Sequence, residues 1–288
     1  MTGSTSPDAA ASDQPQPADP DLTQALDAVS AVNPFFAVAT STQPPAGAPF
    51  QPFTTVYAGA AGAAVEHETA AKPKATEADA DDHPLTAATQ RLAERLHTPE
   101  PRVAASLLHL GLAARLWSVA LGAAVLGGVV PDLDPARTYW RMPGPGPVEL
   151  WLPNARPLGK AARPGDVPHL TDLLHEAVAV RNLTPLNRAI RTVSPLAEGL
   201  LWGNAASALT GTARMLHQWC GADRPDEART AVATAELLLA TPELQGTGTW
   251  EASPPDGFRR TSCCLYYRTP EGGTCGDCVF GDHPPRSA

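Results

Sequence analysis

Four of the chain's five cysteines crowd into one short stretch, Cys263, Cys264, Cys275 and Cys278, with the spacing C-C-x10-C-x2-C. Clustered thiols hold a metal, form disulfides, or exchange electrons with one another. Disulfides fit poorly. A chain of 288 residues builds a core without staples. Its N-terminus is polar and acidic, without the basic and apolar regions of a secretory signal, so a reducing, cytoplasmic setting is expected. A redox dithiol at Cys275-Gly276-Asp277-Cys278 leaves the vicinal pair unexplained.

A metal site accounts for all four. Zinc is commonly wrapped by two C-x2-4-C knuckles. Here one knuckle is ordinary and the other, Cys263-Cys264, has no spacer. Neighbouring residues in extended chain point to opposite sides, which is awkward around one tetrahedral ion. Two irons offer more ligand positions, and four thiolates are what a [2Fe–2S] cluster requires. Pro270 and Gly272-Gly273 let the intervening loop turn tightly. Arg259, Arg260 and Arg268 flank the cysteines and would offset their negative charge. Zinc and an iron–sulfur cluster both remain open on spacing alone.

Over Ser262-Cys263-Cys264-Leu265-Tyr266-Tyr267-Arg268 and Cys275-Gly276-Asp277-Cys278 the chain resembles the FhuF-type ferric-siderophore reductases. That family carries C-C-x10-C-x2-C near its C-terminus. Leu201-Trp202-Gly203-Asn204-Ala205-Ala206-Ser207-Ala208-Leu209 resembles a helix start of the same family. The resemblance is confined to roughly the last third of the chain. It implies a [2Fe–2S] cluster bound by Cys263, Cys264, Cys275 and Cys278. It further implies one-electron reduction of Fe(III) held in a siderophore, of hydroxamate type, with release of Fe(II). No catalytic residue beyond the cluster ligands is implied.

The net charge is −9, but residues 1–27 carry five acids and no base, and residues 60–84 carry six acids and two bases. Those segments account for the whole excess, so the rest of the chain is neutral. Without a basic face, nucleic-acid binding is not expected. No G-x-G-x-x-G or Walker loop occurs, so the electron donor is expected to be a separate ferredoxin or reductase.

The pattern predicts a mainly helical (α+β) fold with a small β element. Residues 1–20 read as a disordered tail. Residues 21–245 read as a helical body with a mobile acidic loop at 58–84, and residues 246–288 as an irregular cluster-binding segment. Leu22, Leu26 and Val29 predict a helix over 21–32, ended by Asn33-Pro34. Residues 53–57 read as a strand, paired with another at 148–152. Leu85, Leu92 and Leu96 mark a helix. Thr98-Pro99-Glu100 reads as the capped start of a longer one, in which Val103, Leu107, Leu110, Ala114, Trp117 and Leu121 form a stripe. Its run from Leu107 to Val130 is apolar enough to raise a membrane span. His109, Arg115 and four glycines favour a buried core helix instead. Further helices are expected over about 170–178, on to Thr192 after a break at Thr184-Pro185, from a cap at Ser194-Pro195 to Cys220, and over 225–240. Residues 246–258 read as loop.

Other candidates read as structural. Cys220 with His217 suits a small buried hydrophobe better than a metal pair. His169 and His175 lack matching partners, and His283 is at most a neighbour of the cluster. Ser106, Ser118 and Ser207 lack a nucleophile setting. Asn204 and Arg214 could face a substrate pocket or serve in packing. Besides the iron–sulfur reductase, a zinc-stabilised scaffold and a redox sensor stay open.

Overall fold

The computed structural model describes residues 18–57, 83–142, 144, 146–161 and 165–281. Nearly all of the 1–20 tail and of the acidic loop at 58–84, together with His283 and Pro284-Pro285, lies outside them. The fold is mainly helical with small β elements, as the pattern predicts.

Its axis is α4, Pro101–Gly127, preceded by α1 (Pro20–Ser30), β1 (Gln51–Pro52), α2 (Thr54–Tyr57) and α3 (Pro84–Arg95). Helix α4 is long and apolar enough to cross a membrane, yet it is buried nearly all round by the other helices. It therefore shows the all-round apolarity of a core helix. Small side chains let neighbours come close. At Gly122 an added Cβ would sit 3.0 Å from Val29 of α1. Arg115 is 1% exposed, and burial lowers its pKa to about 10. Its guanidinium survives inside because it donates to three carbonyls: Val148 at 2.6 Å, Pro34 at 3.4 Å, and Ala37. One cation thus ties α4 to the loop after α1 and to the segment at Val148. Gly128 closes the helix in the left-handed conformation, φ 63°.

The start of α4 differs by a few residues from the expected cap. Glu100 occupies the N-cap position without a side-chain bond to the helix, and Pro101 opens it. Thr98 Oγ1 accepts from the Glu100 N–H at 3.3 Å, one step too early. The Glu100 carboxylate is instead engaged by Arg102 and Arg268.

Residues 53–57 are not a strand. Phe53 and Val56 are both fully buried, a spacing that suits one face of a helical turn, and Thr55 Oγ1 donates to the Pro52 carbonyl at 2.7 Å. The expected partnership with 148–152 fails with it. Strand β4 (Glu149–Trp151) pairs instead with β3 (Tyr139–Arg141), which pairs with β1. The register is fixed by Arg141 facing Glu149 at 2.6 Å and Tyr139 facing Trp151, with ring centroids 4.9 Å apart. A second small sheet joins β2 (Val129–Pro131) to β5 (Pro157–Lys160).

Thr184-Pro185 does not break the helical run. Helix α5 (Val167–Leu174) passes through a π-helical stretch, His175–Leu183, into α6 (Thr184–Val193). The wider turn accommodates a proline that lacks an N–H. Asn182 Nδ2 satisfies the Ala177 carbonyl at 2.7 Å and Thr184 Oγ1 satisfies that of Ala179 at 3.0 Å. Ser194 is the C-cap of α6 and does not start the next helix: α7 (Glu198–Cys220) starts after Ala197. Helix α7 packs along α4, where Ser118 Oγ meets Thr212 Oγ1 at 3.3 Å. Helix α8 (Pro225–Leu239) covers α7. Residues 246–258 are not all loop. Strands β6 (Gly248–Trp250) and β7 (Phe258–Arg260) form a hairpin whose second arm delivers the chain to the cysteines.

Candidate metal centre

The cysteine segment lies against the N-terminal ends of α4 and α7, held by backbone rather than by its own secondary structure. Ser106 Oγ donates to the Cys264 carbonyl at 2.8 Å. Asn204 Nδ2 donates to the Ser106 carbonyl at 2.9 Å, which locks α7 to α4 at that point. The Arg260 N–H donates to the Asp277 carbonyl at 3.1 Å, and Arg259 Nη1 to the Cys278 carbonyl at 2.8 Å. These bonds draw the two cysteine pairs together. Gly203 permits the approach: a Cβ there would collide with Ser262 Oγ. Gly272 does the same inside the loop, where a Cβ would strike the Tyr266 carbonyl.

Cys264 and Cys278 are buried, Cys263 and Cys275 half-buried, and none is in a disulfide. The Cys264 and Cys275 sulfurs are 3.5 Å apart. The vicinal thiols are less splayed than extended chain would have them. Leu265 adopts φ 71°, its N–H donates to Cys263 Sγ at 3.3 Å, and the Cys263 thiol lies against Cys264. Hydrogen bonds from Cys263 and Cys275 hold the Cys264 thiol far below its ordinary pKa, with Arg260 adding to the effect. The same bonds, then burial, push Cys263 and Cys275 up. Among the described residues no three Cys, His, Asp or Glu side chains are arranged to hold a single metal ion.

Arg260 supplies the counter-charge. It is 2% exposed, and among the described residues its Nε and Nη1 have no hydrogen-bond partner. Nη2 reaches the Leu200 carbonyl at 3.3 Å. A buried, incompletely bonded cation is expensive, by several kcal/mol, unless an anion lies nearby. The Cys264 sulfur, whose pKa Arg260 helps to lower, is such a neighbour. Four thiolates around two irons form an anionic group, so the donor set and the buried guanidinium fit a cluster of this type.

A cavity of about 840 Å³ opens beside the sulfurs, between α4 and α7. Cys275, Arg260 and Asp277 form one wall, and Phe35, Leu110 and Met215 line others. Arg214 Nη1 lies 3.8 Å from Asp277 Oδ1. Burial raises the Asp277 pKa.

The remaining sequence candidates separate cleanly. Arg214 and Ser207 line the cavity, whereas Asn204 is fully buried and serves the helix joint. Cys220 is buried at the far end of α7, and His217 Nδ1 lies 3.4 Å from the Ala228 carbonyl. His175 pairs with Glu243 at 2.8 Å. Arg268 binds Glu100 at 2.8 Å. Ser106 carries no local sequence signal for this role, which depends on a residue remote in the chain. Phe35 and Met215 carried no local signal for a cavity wall.

This arrangement suits an iron–sulfur cluster. Residues 260–280 match the family model described as the FhuF 2Fe-2S C-terminal domain. The resemblance to FhuF-type proteins therefore holds across the cysteine segment, and the cofactor is a [2Fe–2S] cluster. Over that stretch the chain is similar to the C-terminal domain of FhuF-type iron–sulfur proteins. No curated protein matches it.

Proposed function

We propose that Cys263, Cys264, Cys275 and Cys278 hold the [2Fe–2S] cluster and that the protein is a cytoplasmic ferric-siderophore reductase. The observation that carries this reading is that Cys275 belongs both to the sulfur group and to the wall of the large cavity. A chelate in that cavity would lie beside Cys275, one of the residues that would hold the cluster. When bound, the cluster supplies one electron at a time. Fe(III) in a hydroxamate-type chelate accepts it and becomes Fe(II), which hard oxygen ligands hold less tightly and exchange faster. The electron is replaced by a separate ferredoxin or reductase.

The chain's own residues carry the other tasks. Arg260 holds positive charge beside the sulfurs. Ser106 and Gly203 seat the segment on the helices. The apolar walls exclude water from the face where the chelate docks. In this reading residues 246–288 form the cluster segment and residues 21–245 the body that shapes the cavity.

The test is an absorption spectrum of anaerobically purified protein before and after dithionite, with iron and sulfide analysis, followed by ferric trihydroxamate turnover. Two irons per chain, bleaching and reoxidation by the chelate are expected. A colourless protein carrying one zinc overturns the reading.

A further inference from the structure

The sulfur positions sort the four cysteines into pairs. A [2Fe–2S] cluster gives each iron two of four thiolates. Two thiolates on one tetrahedral ion, with bonds of about 2.3 Å, lie roughly 3.8 Å apart. Thiolates on different irons lie farther apart, because both irons and the bridging sulfides come between them. The Cys264 and Cys275 sulfurs stand 3.5 Å apart, although 11 positions separate them in the chain. Cys263 also lies against Cys264, but the two are adjacent residues. Adjacent residues turn their side chains to different sides of the chain, so a vicinal pair reaches two irons more readily than it closes on one. The Cys263 sulfur is engaged by the Leu265 N–H at 3.3 Å, and Cys278 acts on it electrostatically. With Cys264 and Cys275 on one iron, Cys263 and Cys278 are left for the other.

The two pairs differ in their surroundings. Arg260, at the end of β7, is buried, and among the described residues its Nε and Nη1 have no hydrogen-bond partner. Its charge acts on both Cys264 and Cys275. Arg260 and Cys275 also share one cavity wall. Gly203 leaves room for the guanidinium, since a Cβ there would stand 3.2 Å from Nη2. A buried cation lowers the energy of added negative charge most at the nearer iron.

We propose that Cys264 and Cys275 share one iron, that Cys263 and Cys278 hold the other, and that Arg260 directs the added electron to the first. This assignment rests on the cluster ligation proposed above. It adds which cysteines act together and makes Arg260 a positioning residue for the electron.

The test labels one cysteine at a time. Cys263 is itself a ligation point, so a synthetic 263–288 fragment joined to a recombinant 1–262 thioester gives the full chain with one β-deuterated cysteine at a chosen position. Dithionite supplies one electron per cluster, which turns one Fe(III) into Fe(II) and leaves the other ferric. In deuterium NMR, cysteines on the ferric iron show large shifts that shrink on warming. Those on the ferrous iron show small shifts that grow on warming. Labels at Cys264 and Cys275 are expected to give the ferrous pattern, and labels at Cys263 and Cys278 the ferric one. In Arg260→Gln the ferrous pattern at Cys264 and Cys275 should be lost, and in Arg260→Lys it should return. Unlike patterns at Cys264 and Cys275 overturn the pairing. A ferric pattern at both, one averaged pattern at all four cysteines, or a ferrous pattern that persists in Arg260→Gln overturns the role of Arg260. The wild-type outcomes decide whether or not the glutamine variant takes up a cluster. A protein that carries zinc and shows no shifted signal overturns the cluster reading and this assignment with it. Unlike patterns at Cys264 and Cys275 in a loaded cluster overturn the assignment alone.

Discussion

Ser106 on α4 donates its hydroxyl to the carbonyl of Cys264, 158 positions away, at 2.8 Å. Among the described residues this is the direct side-chain link between the core helix and the vicinal cysteine pair. Ser106→Ala leaves that carbonyl without its buried donor, at a cost of about 1–3 kcal/mol. The expected result is faster loss of iron to a chelator, followed by bleaching of the visible spectrum, with near-native helical content. Iron release at the wild-type rate counts against this link.

Cys220 provides an internal control. It is buried at the end of α7, away from the other four thiols. Cys220→Ser is expected to keep full iron and sulfide content. Serine at Cys263, Cys264, Cys275 or Cys278 is expected to lower both and to change the visible spectrum. Full iron in any of those four variants removes that residue from the ligand set.

Arg260 sets the electrostatics of the sulfurs. An incompletely bonded cation beside an anionic cluster favours the added electron. Arg260→Gln should shift the midpoint potential negative, on the order of tens of millivolts. Arg260→Lys should recover part of the shift. A potential unchanged in both variants would show that the guanidinium serves packing alone.

Gly203 is where α7 meets the cysteine segment. Gly203→Ala drives a methyl into Ser262 Oγ and crowds Arg260, whose Nη2 would lie 3.2 Å from the new carbon. Overpacking of this kind costs about 1–3 kcal/mol. Adding Ser262→Ala should restore part of the loss, as a double-mutant cycle on thermal midpoints would show. Strict additivity of the two substitutions argues against the contact.

His109 lies fully buried on α4, with Nε2 at 2.7 Å from Asn187 Oδ1. Burial lowers its pKa to about 4, so the folded chain keeps it neutral where the unfolded chain binds a proton. Stability from this site is full above the unfolded value near 6.5 and falls as pH drops toward 4, by at most on the order of 3 kcal/mol. In denaturant titrations, the advantage of wild type over His109→Gln should shrink between pH 7 and pH 4.5. A constant difference would place the effect elsewhere.

What could be read from sequence follows a physical division. The positions of α1, α3, α4 and α8 were legible because apolar periodicity and helix-ending signals are local. Apart from β4, which the alternation at 148–152 gives, the strands were not. Strands β2, β3 and β5 to β7 are three or four residues long and sit among prolines and glycines, so their identity comes from partners distant in sequence. Pro185 misled because a π-helical turn absorbs a missing N–H that an α-helix would not tolerate. At the site, the cysteine spacing left zinc and a cluster both open, the resemblance at 262–268 and 275–278 pointed to the cluster, and Arg260 could be named as a flanking charge. Its burial, the seat at Ser106, and the cavity walls at Phe35 and Met215 depend on how α4, α7 and the loop after α1 meet, which no short window contains.

The seat of the cysteine segment also orders events during synthesis. Ser106, Leu200, Gly203 and Asn204 all leave the ribosome before Cys263, so the surface that receives the segment can be finished first. The cysteines then arrive at a completed platform with Arg260 leading them by a few residues. A nascent chain stalled before Cys263 should accordingly already resist protease across α4 and α7.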